Sequence, residues 1–277
     1  MPRNRNAEIA QETLHIANTG KYTTNGKTVD ISACMEYTNS HVVLISQQDA
    51  DRLESTFMPK SGSPTIELCE ETTLAAIIRL ADNGCNLGTL NFASAKNPGG
   101  GFLNGAMAQE ESLAAASALY ISQLQCTGYY DSNRSFKSFV YTDSAIWSPD
   151  VVFFRDNSAE LLSTPVKSHV LTIPGVNYGQ VLIKGEDTEN AKIAMKRRMK
   201  IALAIFADKG CEAIILGAFG CGVFRNNPVD VAVWWDELLL EYGGHFDKVV
   251  FSVFDRSRQR MTIDAFSKLF ECRREDV

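Results

Sequence analysis

The sequence predicts an α/β fold, a β-sheet covered by helices on both faces. Three observations carry that prediction. Helical patterns alternate with short apolar runs along the chain, those runs lack the polar alternation of a half-exposed sheet, and two of them end directly in glycine-rich turns. Ligands on such sheets sit beyond the carboxyl ends of the strands.

Taken in order, residues 4–18 read as a helix with apolar positions at Ile9, Leu14 and Ile16. Residues 41–46, HVVLIS, read as a short buried strand from their β-branched content. Residues 72–84 form a helix capped by Thr72 and ended by Gly84. Residues 87–94 are a strand, and 138–156 contain two extended runs broken at Ser148-Pro149. A further strand covers 168–175, and a long amphipathic helix over 187–210 stops at Gly210. Residues 213–224 are a buried strand that runs into a glycine-rich turn. A helix over 228–244, a last strand over 248–255 and a last helix over 260–270 complete the chain.

Composition narrows the function classes. A net charge of −6 over 277 residues argues against non-specific nucleic-acid binding, which needs a basic footprint. No apolar run approaches the roughly 18 residues of a membrane span. The opening, MPRNRNAEIAQETLHIA, lacks the apolar region of a secretory signal, so a cytoplasmic protein is expected. Seven cysteines contain no CxxC pair and four histidines stand alone, which suits reduced thiols and offers no metal site. Metal catalysis, Cys/His catalysis and a bound cofactor are therefore not expected.

The chemistry concentrates in NFASAKNPGGGFLNGAMAQEESLAAASALY, residues 91–120. Glycine permits positive φ and close backbone approach, so Gly99, Gly100 and Gly101 can turn their N–H groups toward an anion. The spacing misses the dinucleotide fingerprint, because its last position is Asn104, and no GK[ST] follows. A second loop, GAFGCGVF, offers Gly217, Gly220 and Gly222. Tight strand-to-helix turns also require glycine. Two such loops in one sheet suit a diphosphate held from both sides. Glu110 and Glu111 open a helix, where negative charge is favourable by roughly 0.3–1 kcal/mol. Neighbouring helical residues project about 100° apart, so the pair cannot flank one bond from opposite faces. One glutamate does acid/base work and the other orients substrate.

GGGFLNGAMAQEE resembles the GGG-x(6–8)-QEE signature of poly(ADP-ribose) glycohydrolases. IAQETLHIANTGKY resembles the N-terminal helix and turn of the short bacterial type, WSPDVVFFRD its middle motif, and LGAFGCGVFRNNP its second phosphate loop. The likeness runs over nearly the whole chain. It implies a macrodomain-like mixed sheet sandwiched between helices, in a single domain over 1–277 with about the first 40 residues as a helical extension. It further implies hydrolysis of ribose–ribose O-glycosidic bonds in poly(ADP-ribose), with ADP-ribosylated proteins as substrates, a monomeric state, and a part in reversing ADP-ribosylation after DNA damage. Glu111 would be the acid/base, with Glu110 and Gln109 at the ribose. Asn97 and Gly99 to Gly101 would cradle the ribose and phosphate side. Ala218, Phe219, Gly220, Cys221, Gly222 and Val223 would wrap the diphosphate, Phe224 would pack on the ribose, and Phe254 would stack on adenine. The chain departs from the family pattern at Ala114-Ala115-Ala116, at Gly175, and at Arg225, where glycine is more usual. Hydrolysis of mono-ADP-ribosylated acceptors and non-catalytic ADP-ribose binding are the alternatives, with a Rossmann-type dehydrogenase more distant.

Overall fold

The computed structural model describes residues 3–81 and 85–271. Eleven α-helices and nine strands are present among them. The first part holds α1 (Arg3–Thr19), the hairpin β1 (Lys21–Thr24) and β2 (Lys27–Asp30), α2 (Ser32–His41), β3 (Val43–Ile45), α3 (Gln47–Thr56) and β4 (Thr65–Cys69). Then come α4 (Thr73–Leu80), β5 (Leu87–Ala93), α5 (Gln109–Ala116), α6 (Leu119–Leu124), α7 (Thr127–Ser135), β6 (Ala145–Arg155) and β7 (Leu161–Pro174). The chain ends with α8 (Tyr178–Lys184), α9 (Thr188–Asp208), β8 (Ala213–Leu216), α10 (Pro228–Tyr242), β9 (Lys248–Ser252) and α11 (Met261–Phe270).

Seven strands form one mixed sheet in the order β3-β6-β7-β5-β8-β9-β4. The pairs from β7 through β5, β8 and β9 to β4 are parallel, and those joining β3, β6 and β7 are antiparallel. Alternate residues of each central strand enter opposite cores. Leu90, Leu171, Ile214 and Val249 pack with Met195, Met199 and Trp235 of α9 and α10. Leu87, Val170, Ile215 and Val250 pack with Leu74, Ile77 and Leu113 of α4 and α5. Both faces are covered, as the apolar strands require.

Several elements differ from the sequence reading. Residues 41–46 do not make a buried strand: β3 is an edge strand with Val43 and Leu44 exposed. The two runs expected in 138–156 are one strand, β6, whose register shifts between Ser148 and Val151 as Asp150 takes a positive φ of 48°. Pro149 thus marks a bulge rather than a break. The last strand stops at Ser252, which leaves Phe254 in the loop beyond it. Gly84 lies outside the described residues, whereas Thr72 caps α4 by accepting from the Ala75 N–H. The N-terminal extension is helical at α1 and α2 but carries a hairpin between them, turned by Asn25-Gly26 with φ of 50° and 72°. Helix α1 rests on α5 and the loop before it: Asn6 Nδ2 donates to the Gly105 carbonyl, Thr13 Oγ1 to that of Ala115, and Ala10 packs with Phe102 and Ala114.

Candidate active site

Strands β5 and β8 are parallel neighbours, so both glycine-rich loops emerge side by side at the same edge of the sheet. The loop after β5 turns through Gly99 and Gly100, with φ of 61° and 60°. Its amides do not face the cleft as expected. The Gly99 N–H donates to Gln123 Oε1 at 2.8 Å, the Gly100 N–H to the Asn97 carbonyl at 3.0 Å, and the Gly101 N–H to Glu111 Oε1 at 2.9 Å. The one anion that this turn meets, at the Gly101 N–H, is the protein's own carboxylate. A Cβ on Gly100 would lie 2.4 Å from Glu111 Oε1 and 3.1 Å from Glu110 Oε2, so a side chain there would collide with both acids. This is why the most flexible backbone precedes the two glutamates.

The adjacent acids diverge in environment. Glu111 is half-buried and lines the cavity, its second oxygen accepting from the Ala108 N–H at 3.0 Å. Each of its oxygens accepts one hydrogen bond and so keeps further acceptor capacity. Glu110, which the resemblance sets at the ribose, is 3% exposed and bonded within the fold. It accepts from the Ser94 N–H at 2.7 Å, Gln123 Nε2 at 3.1 Å and Asn91 Nδ2 at 3.3 Å. Burial pushes its pKa up to about 8, with the neighbouring Glu111 charge adding to the rise.

That shift makes stability depend on pH in a definite direction. The unfolded chain releases the Glu110 proton near 4.5, whereas the fold holds it to about 8. The stabilisation from this group is full below about 4.5 and is lost as pH rises through about 8. Glu110→Gln, a neutral isostere, is expected to flatten the fall in Tm between pH 6 and pH 9 relative to wild type. Parallel Tm profiles for the two proteins would contradict this.

Gln109 is a brace. Its Oε1 accepts from the Phe92 N–H at 2.9 Å, and its Nε2 donates to the Leu90 carbonyl at 2.8 Å and to Thr73 Oγ1 at 3.2 Å. Helix α5 is thereby tied to β5 and α4 just where Glu111 leaves it.

The cavity beside Glu111 has a volume of about 750 Å³, in the range of small-molecule sites. From Glu111 and Gln109 it passes Phe92, Ala218, Cys221 and Gly222 to reach Phe254 and Asp255. Phe254 is 49% exposed, and the Arg256 guanidinium stands 4.6 Å from its ring centre. Residues that sequence reasoning missed also line it: Thr72 and Thr73 after β4, Arg155 at the end of β6 and Asn157 just beyond it. Thr72 was legible as a helix cap. Its place on the wall follows only from the pairing of β4 with β9.

The second loop divides. Ala218, Cys221 and Gly222 line the cavity, whereas the Phe219 side chain is fully buried against Phe92. Gly220 takes a φ of 73° with Asn226 Nδ2 filling the space of a Cβ. Among the described residues, the N–H groups of Gly222, Val223 and Phe224 make no hydrogen bond within the protein, so this loop supplies the free amides that the first does not. Burial pushes the Cys221 thiol up to about 12, which keeps it protonated and non-nucleophilic. Val223 is exposed, and Phe224 is half-buried near Tyr141, their ring centres 6.2 Å apart. Asn97 is exposed, and neither it nor Gly99 to Gly101 lines the cavity.

Among the described residues no group of three or more His, Cys, Asp or Glu side chains could hold a metal ion, and no helix is long and apolar enough to cross a membrane.

The family described as microbial-type PARG, catalytic domain, matches residues 10–156. The crystal structure of poly(ADP-ribose) glycohydrolase (PARG) from Thermomonospora curvata is 36% identical, covers 97% of this chain and 100% of its own, and superposes with a TM-score of 0.93. The same enzyme bound to the inhibitor ADP-HPD is 36% identical over 96% of this chain and 99% of its own, with a TM-score of 0.89. The Deinococcus radiodurans enzyme in complex with ADP-ribose is 38% identical over 88% of this chain and 99% of its own, with a TM-score of 0.83. No curated protein matches the chain.

Proposed function

The chain belongs to the microbial-type poly(ADP-ribose) glycohydrolases, and from that premise we propose that it hydrolyses the ribose–ribose O-glycosidic bond of poly(ADP-ribose) with Glu111 as the acid/base. The observation that carries the reading is the pair of backbone N–H groups, from Gly101 and Ala108, that fix the Glu111 carboxylate on the wall of a cavity of about 750 Å³. Glu111, protonated, donates to the departing ribose oxygen as positive charge develops on the terminal ribose. The diphosphate, held by the free amides of the second loop, stabilises that charge. The carboxylate then takes a proton from water attacking the anomeric carbon. Glu110 touches no substrate in this scheme. It anchors the start of α5 to Ser94 and Gln123, so its role is to position Glu111.

Phe254 is read as the stacking surface for adenine, as its exposed ring at the far end of the cavity supports. Residues 1–277 are read as one domain, because α1 is bonded to residues 105 and 115 of the main body. The six free cysteines among the described residues suit a reducing, cytoplasmic setting.

The cavity takes in one ADP-ribose end, which favours removal of terminal units. A time course on long polymer is expected to show monomeric ADP-ribose from the earliest points. Abundant short oligomers early on would contradict exo-cleavage. Because the described residues contain no cluster of metal ligands, turnover is expected to survive EDTA. Loss on chelation, restored by magnesium, would overturn the scheme.

A further inference from the structure

The cavity takes its walls from the ends of β4, β9, β8 and β5, and in the sheet these strands are consecutive. The next strand along is β7. A polymer end laid with its adenine at Phe254 and its reactive ribose at Glu111 therefore sends the departing unit over the end of β7.

A cationic surface stands there that the hydrolytic scheme does not use. Lys96 Nζ lies 5.6 Å from the ring centre of Phe139 and 5.8 Å from that of Tyr141, which hold the ammonium group by cation–π attraction. The Tyr141 ring in turn approaches Phe224, and Phe224 lies against Gly175 at the end of β7. This loop is fixed. The Asn177 N–H donates to the Phe139 carbonyl, and the buried Arg198 donates to the carbonyls of Val140, Tyr141 and Pro174. Glu186, the carboxylate whose charge bears on Tyr141, is occupied by Ser138 Oγ and the Phe139 N–H.

Arg225 borders the same end of the second loop, packed over Gly179. Its φ is 59°, a conformation that glycine takes freely and an arginine does not. Among the described residues neither Lys96 nor Arg225 has an ion-pair partner or a side-chain hydrogen bond. Two unneutralised cations beyond the scissile position match a diphosphate.

Resting on the hydrolase reading, we propose that Lys96 and Arg225 form a subsite for the diphosphate of the penultimate ADP-ribose unit, the one that leaves. The site would then grip the polymer on both sides of the bond to be cut, and the gain would be specific to polymer over single ADP-ribose.

The test compares ADP-ribose with its linear dimer, binding each by calorimetry to Glu111→Gln protein so that nothing is cleaved. The dimer is expected to bind about tenfold more tightly than the monomer, through two charge contacts that weaken with salt. Adding Lys96→Met, which keeps the packing on the rings, and Arg225→Gly, which relieves the backbone, should bring the dimer to within about twofold of the monomer without moving monomer affinity. A dimer that binds no better than the monomer, a dimer advantage that survives both substitutions, or an equal loss for both ligands would overturn the subsite. Dimer cleavage is measured separately in the wild type. Failure of the hydrolase reading would appear as an uncleaved dimer, and failure of the subsite as an unchanged affinity ratio.

Discussion

Glu111→Gln is expected to lower turnover of poly(ADP-ribose) by about 10²–10⁴-fold, the span of a general acid–base group, or by more. ADP-ribose affinity should stay within about tenfold, because one charge-assisted contact at most is weakened. The amide is nearly isosteric and keeps an oxygen to accept from Gly101 or Ala108, so α5 and the cavity wall stay in place. It cannot hand over the proton that the departing oxygen needs. Steady-state rates on labelled polymer and calorimetry with ADP-ribose give the two readings. Glu110→Gln makes the informative partner, since that carboxyl is sealed from the cavity. Full activity in Glu111→Gln with Glu110→Gln dead would assign the chemistry to Glu110 instead.

Gly100→Ala is expected to be almost as damaging, although no atom of the glycine lines the cavity. Two effects combine. An L-residue at a φ of 60° costs about 1–2 kcal/mol. The new Cβ would also lie 2.4 Å from Glu111 Oε1, so the carboxylate must move. A displacement of about 1 Å in a reacting group costs on the order of 10²-fold in rate. Gly185→Ala separates the two. Gly185 has a φ of 66° and nothing within 4 Å of its Cβ position, so this variant bears the backbone cost alone. Both proteins should unfold at lower denaturant, but only Gly100→Ala should lose kcat. Equal activity in the two variants would show that the position of the Glu111 carboxylate is not set by this turn.

How far this site was legible in the sequence differs from residue to residue. Gly99-Gly100-Gly101 and Gln109-Glu110-Glu111 mark a site because local chemistry demands glycine before paired acids. What the glycines do was not legible, since it depends on α5 folding back to offer Glu111 to the Gly101 N–H. The division of labour between the glutamates was hidden for the same reason: Glu110 is bonded by Asn91 and Ser94 at the end of β5 and by Gln123 of α6, which only the fold brings together. Phe219 and Phe254 look alike in a linear reading, yet one is core and the other cavity wall. The Asn25-Gly26 turn was a clear hairpin signal, but its short flanking strands are polar. Strand β4 was missed because it is an edge strand whose Glu67 pairs with Arg79 and Lys248, a compensation that no local pattern reveals. Helix α3 is similarly polar, held by a Ser46–Asp49 capping box and by Arg197.

The most direct measurement follows free ADP-ribose by chromatography while labelled poly(ADP-ribose) is incubated with wild-type protein and, in parallel, with Glu111→Gln. Release of ADP-ribose by the wild type, with at least a 10²-fold slower release by the variant, is the result expected from a general acid–base group at this position. Tight binding of polymer by both proteins with no release from either would contradict the central claim, and would make the cavity a binding site rather than a site of hydrolysis.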